Sequence, residues 1–295
     1  MSTNIEWTDE TWNPVTGCSK VSPGCAHCYA EGVALRFWRT QYPPVEVDTC
    51  EGTTVRQRAF TDVWCHPDRL REPLAWRKPR RVFVNSMSDL FHEDVPDEFI
   101  RRVFDTMALA SRHTFQVLTK RAERMQWLVP ALARRHTAPD GSGWPLRNVW
   151  LGVSAENQRF LDERVPLLLE TPAAVRFVSA EPLLEGLDIA KHRPGANRLW
   201  FIVGGESGPN ARPCAVQWIR SIVRQCQEAD APVFVKQLGS NPIQRVLYGP
   251  ATFEADQPGG SETYPASGKG GDPSEWPSDL RVREFPVTRE GSTQP

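Results

Sequence analysis

The chain has 295 residues, a formal net charge of -1, 40% hydrophobic and 24% charged residues. These values suit one large α/β domain or two smaller ones, and they offer no global basic field to draw the protein to nucleic acid. No run approaches the about 18 apolar residues of a membrane span, and the start MSTNIEWTDETWNP lacks the basic-then-apolar pattern of a secretory signal. A cytoplasmic protein with reduced cysteines and no membrane partner is expected.

In chain order, a short strand is expected before Cys18, followed by a cysteine loop, GCSKVSPGCAHCY, over residues 17–29. Residues 37–80, with Cys50, Cys65 and several prolines, read as an insertion or cap. From Arg81 onward, apolar β-rich runs alternate with amphipathic stretches. The runs are Arg81–Ser86, Thr114–Thr119, Val149–Ser154, Val175–Ser179, Leu199–Val203 and Pro232–Lys236. Each is nearly continuous in hydrophobicity, as a parallel strand buried on both faces requires. Helices are expected over Asp97–Ala110, Arg121–Arg135, Asn157–Leu169 and Val216–Glu228. The first places Phe99, Ile100, Val103, Phe104 and Met107 on one stripe, with Asp97 as its N-cap. Repeated strand–helix units imply a parallel α/β sheet, a partial or full (β/α) barrel over residues 1–240, with a doubly wound sheet as the alternative. Residues 241–295, rich in Gly, Pro and Ser, read as an irregular C-terminal extension with a disordered end.

Three of the 7 cysteines lie within eleven residues, spaced Cys18-x6-Cys25-x2-Cys28. Thiolates are soft ligands that select zinc, copper(I) or iron–sulfur clusters. A closed structural zinc site takes four protein ligands, whereas a cubane held by three cysteines leaves one iron open to a chelating ligand. A zinc site completed by His27 or by a distant residue is the alternative. Cys50, Cys65, Cys214 and Cys226 show no ligand spacing.

A three-cysteine loop ending Cys-x2-Cys-Tyr, ahead of strand–helix units, resembles radical S-adenosylmethionine (SAM) enzymes. It departs from their commonest spacing in its six-residue first gap and in His27 at a position where they carry an aromatic residue. The segments WNPVTGCSKVSPGCAHCYAE, NSMSDLF, LTKRAERM, GVSAEN, SAEPLL, GGESGPNARP, FVKQLG and GGDPSEWPSDLRVREFP are similar to a phage-associated three-cysteine-motif family of unknown function (DUF5131-like). The first resemblance implies a radical-SAM type barrel. It also implies a 4Fe-4S cluster on Cys18, Cys25 and Cys28, S-adenosyl-L-methionine on the open iron, and a one-electron reductant such as flavodoxin or ferredoxin as partner. A 5′-deoxyadenosyl radical would then abstract hydrogen from a substrate. The phage association points to a nucleobase, nucleotide or nucleotide precursor as that substrate.

Parallel α/β barrels carry their sites at the C-terminal ends of the strands, and here every run ends in polar residues. Ser88 or Asp89 suits the SAM ammonium, Lys120 or Arg121 its carboxylate, and Glu156 and Asn157 its ribose. Glu181, Glu206 and Lys236 are the candidate catalytic residues. Arg121, Arg124, Arg176, Arg212 and Lys236 are candidates for phosphate. Lys20, in the six-residue gap, is expected near the cluster. Two further classes stay open: a zinc-binding nucleic-acid or partner module, and a non-radical acid–base enzyme using Glu156, Glu181, Glu206 and Lys236.

Overall fold

All six apolar runs become strands in the computed structural model, which describes residues 3, 5–49, 52–134, 143–192, 194–196, 198–245, 261–263 and 267–287. With the strand ahead of the cysteine loop they are β1 (Glu10–Trp12), β2 (Arg81–Val84), β3 (Thr114–Thr119), β4 (Val149–Ser154), β5 (Val175–Ala180), β6 (Leu199–Gly204) and β7 (Val233–Gln237). Their order in the sheet is their order in the chain, β1 to β7. A doubly wound sheet reverses its strand order at a switch point, and this one does not. The winding is that of a (β/α) barrel. Among the described residues no strand pairing joins the two ends of this order, which fits the partial rather than the full barrel. Every position of β4 and of β6 is buried, as runs of continuous hydrophobicity require. Among the described residues no helix is long and apolar enough to cross a membrane.

Two compact units divide the chain: residues 1–151 with 171–174, and residues 152–170 with 175–295. In the first, β1 pairs in parallel with β2 (Thr11 opposite Phe83) and β2 with β3 (Phe83 opposite Gln116). Fully buried Trp12 packs on Phe115 with ring centroids 5.8 Å apart. Helix α1 (Tyr29–Gln41) starts directly after Cys28, with Ala30, Ala34 and Trp38 buried at four-residue spacing. Helix α2 (Asp97–Leu109) buries the expected stripe of Phe99, Ile100, Val103, Phe104 and Met107. Its N-cap is Pro96, not Asp97. Proline presets the entry φ, and Asp97 serves in the first turn, where negative charge meets the helix dipole. Helix α3 (Ala122–Ala133) has Arg121 at its N-cap, and Arg135, expected within it, lies outside the described residues. Residues 37–80 mix short strands and helical turns: Val45–Thr49 pairs antiparallel with Gly52–Arg56, Trp64–Cys65 with Val15–Thr16, and Pro67–Arg71 and Glu72–Ala75 are helical.

In the second unit, β5 pairs with β6 (Phe201 opposite Val178) and β6 with β7 (Ile202 opposite Phe234), all in parallel. Phe177, Trp200, Phe201 and Phe234 are nearly or fully buried, each worth about 1.5–3 kcal/mol in transfer terms. Gly152 leaves room for the Phe177 ring, which a Cβ there would meet at 2.5 Å. Helix α4 (Gln158–Glu170) begins one residue later than expected, because the Asn157 side chain accepts from the Phe160 N–H and caps it. Helix α5 (Val216–Glu228) has its expected bounds. The end of the C-terminal extension, expected to be disordered, lies outside the described residues, and part of the described stretch is packed. Trp276 and Leu280 are buried, Val235 N–H donates to Val282 O, and Glu284 N–H to Val233 O. This segment covers the edge of β7, which would otherwise present unpaired backbone groups.

Candidate functional site

The cysteine loop is tethered at its start. Gly17 N–H donates to Met87 O (3.1 Å) and Cys18 N–H to Phe60 O (2.8 Å). Gly17 has φ +95°, and a Cβ there would lie 2.3 Å from Asp62 O, so no larger residue fits without moving that segment. Arg58, buried under the rings of Trp38, Tyr42 and Trp64, donates through Nη2 to Thr16 Oγ1 (2.9 Å) and Asp62 O (3.0 Å). Beyond Cys18 the chain makes a short turn at Pro23–Cys25, and Cys28 takes the N-cap position of α1. The next residue, Tyr29, donates its hydroxyl to Ser86 O (3.0 Å).

Cys18, Cys25 and Cys28 are all free thiols, each partly exposed. They are near enough to act on one another's charge: Cys25 on Cys18, and both Cys25 and Cys28 on Lys20, which pairs with Glu31 at 2.9 Å. Burial pushes the Cys18 thiol up to about 11, the Asp89 carboxylate adds to this, and the Arg121 guanidinium partly offsets both. Among the described residues no three His, Cys, Asp or Glu groups already converge as a bare metal ion would require. By donor chemistry the three free thiols on one loop, with a cation beside one of them, suit zinc, copper(I) or an iron–sulfur cluster.

At the ends of β2 and β3 the expected ligand-binding residues lace the loop to the sheet. Ser88 donates to Val15 O (2.8 Å). Asp89, buried, accepts from Thr119 Oγ1 (2.7 Å), Lys120 N–H (2.9 Å) and Phe91 N–H (3.0 Å). Arg121 reaches Asp89, Glu93, Ser19 and the Cys18 sulfur. The Lys120 side chain makes no ion pair among the described residues. His92 is held below its usual range, first by burial and then by Arg121. Glu93 is lowered to about 2: burial opposes ionisation, and the Arg121 hydrogen bond and charge outweigh it.

In the second unit three carboxylates stand near the ends of β4, β5 and β6, each with its own cation. Glu156, fully buried, meets Arg164 Nη1 at 3.1 Å. Glu181 Oε1 accepts from Lys236 Nζ (2.6 Å) and Gln237 Nε2 (3.0 Å). Glu206 accepts from the backbone N–H (2.9 Å) and Nε (3.0 Å) of Arg212. Two of the candidate catalytic residues, Glu181 and Lys236, are therefore brought together; Glu206 is held by Arg212. The candidate phosphate ligands are engaged within the chain: Arg124 by His92 O, Val95 O and Asp97, and Arg176 by Leu168 O. Trp150 and Trp200 are core.

Sequence reasoning missed Ser19, His92, Glu93 and Arg164, and it assigned Arg212 to phosphate where the structure pairs it with Glu206. His92 and Glu93 sit just beyond Asp89 in DLFHED, where a charged run after a strand end was a usable signal. Cys214 and Cys226 are pushed up to about 12 by burial and are inert packing residues. Cys65 is also raised by burial, and Cys50 lies outside the described residues.

Neither the curated proteins nor the solved structures offer a match. A family model described as "Protein of unknown function (DUF5131)" matches residues 2–262. The chain, cysteine loop included, belongs to that family.

Proposed function

We propose that the protein is an iron–sulfur enzyme of the radical SAM type, with Cys18, Cys25 and Cys28 holding one 4Fe-4S cluster. The observation that carries this reading is the loop itself: three free, partly exposed thiols within eleven residues, at the C-terminal side of β1 in a barrel-wound parallel sheet. Three ligands leave one iron for a chelating cofactor. When bound, such a cluster passes one electron to SAM and yields the radical that takes hydrogen from substrate. Lys120, without an ion-pair partner among the described residues, is the cation for the methionyl carboxylate, since Arg121 is committed to Asp89, Glu93 and Ser19. A flavodoxin- or ferredoxin-like protein supplies the electron. A nucleobase or nucleotide is the substrate class to test first, on the strength of the phage-associated resemblance.

Anaerobic reconstitution with iron and sulfide tests the reading. We expect a brown protein with about four irons per chain, and 5′-deoxyadenosine and methionine from SAM under strong reductant. A colourless protein carrying one zinc points to the partner-binding module instead. A cluster-loaded protein that leaves SAM intact overturns the radical assignment. In that case the Glu181–Lys236 pair becomes the place to look for acid–base chemistry.

A further inference from the structure

We infer that Arg121 is the positioning residue of the cysteine loop, holding the Cys18 sulfur through an N–H···S bond and biasing a cluster bound there toward its reduced state. The inference rests on the cluster reading above.

The guanidinium is placed by a closed set of partners. Its side chain is only 9% exposed. Nε donates to Glu93 Oε2 (2.8 Å), and Nη2 to Ser19 Oγ (2.8 Å) and Ser19 O (3.5 Å). Nη1 faces both Asp89 Oδ2 (3.3 Å) and Cys18 Sγ (3.6 Å). The partners are themselves fixed. Asp89 is held by Thr119, Lys120 and Phe91. His92 Nδ1 accepts from Asp94 N–H (3.1 Å), so the ring proton sits on Nε2 and is donated to Ser19 Oγ (2.8 Å). The Ser19 hydroxyl hydrogen is then directed to Glu93 Oε1 (3.3 Å). Such a ring leaves the guanidinium little freedom to swing toward a substrate or cofactor carboxylate.

The three cysteines are thereby made inequivalent. Cys18 receives a charged donor, whereas Cys25 has the Ser22 hydroxyl at 3.7 Å. Hydrogen bonds and positive charge at a thiolate ligand stabilise the more negative, reduced cluster and raise its potential. Removing Arg121 takes away the donor and leaves Asp89 and Glu93 uncompensated. Both effects lower the potential.

The test is a redox titration of anaerobically reconstituted protein, followed by EPR. Arg121→Met should cut the reduced-to-oxidised ratio at a fixed poise about tenfold, a fall of about 59 mV for a one-electron couple. Arg101→Met, which removes a partly exposed arginine on α2 paired with Glu98 and Asp105, should leave it in place. In the reduced parent protein, pulsed EPR should detect an exchangeable proton coupled to the cluster, a readout that does not depend on any variant folding. A loaded Arg121→Met protein with an unmoved potential, or a parent cluster with no such proton, overturns the inference and leaves the cluster reading standing. A parent protein that takes up no iron overturns both.

Discussion

Glu156 was a candidate ribose ligand, and its surroundings make a different demand on it. The side chain is fully buried, and Arg164, 6% exposed, meets it at 3.1 Å. The same Arg164 nitrogen donates to Ser154 O (2.9 Å), and its guanidinium lies 4.0 Å from the centroid of the Phe160 ring. Removing one member of a buried pair strands the other charge in a poorly solvated site, which costs about 3–5 kcal/mol. Arg164→Met and Glu156→Gln should each destabilise the chain by that order, lowering the melting temperature by roughly 10 °C. The double variant should lose much less than the sum, because no charge is then left unpaired. Denaturant unfolding followed by tryptophan fluorescence on metal-free protein reads all four forms. An Arg164→Met protein within about 1 kcal/mol of the parent would refute the reasoning and return Glu156 to the ligand site.

Replacing Cys18, Cys25 or Cys28 with Ala should abolish iron uptake on reconstitution, whereas Ser at Cys65, Cys214 or Cys226 should leave it nearly intact; full iron in Cys25→Ala would sink the ligand assignment. Gly17→Ala places a Cβ 2.3 Å from Asp62 O at φ +95°, and should cost about 2 kcal/mol or more and weaken cluster loading; unchanged stability and loading would show that residues 60–62 yield freely. His66, near Arg58, Arg69 and Asp68, is lowered to about 4, chiefly by burial and then by the two arginines. Because its folded value lies below the unfolded one of about 6.5, its contribution is complete above about pH 6.5 and is lost as the pH falls toward 4. Between pH 7 and 4 the parent should lose about 3 kcal/mol more stability than His66→Gln, as denaturant titrations at the two pH values would show. Equal losses would mean that the ring is not held neutral.

The sequence by itself determined the strands, most of the helices and the three thiols. Apolar runs such as VWLGVS and LWFIVG can be satisfied only as strands covered on both faces, and the stripe of Asp97–Leu109 only as a helix against them. The cysteine spacing is equally local, so its ligand chemistry needed no coordinates. Helix α1 escaped notice because its buried positions, Ala30, Ala34 and Trp38, are two small residues and one large one, which makes a faint stripe. Only the tertiary structure decided the sheet order, since strand–helix alternation is common to barrel-wound and doubly wound sheets and pairing joins residues distant in sequence. It alone decided the partners of each strand-end charge as well. Arg121 and Lys120 are adjacent and chemically alike on paper. One is enclosed by Asp89, Glu93, Ser19 and Cys18, the other makes no ion pair among the described residues, and that difference depends on contacts across 28 to 103 positions of chain.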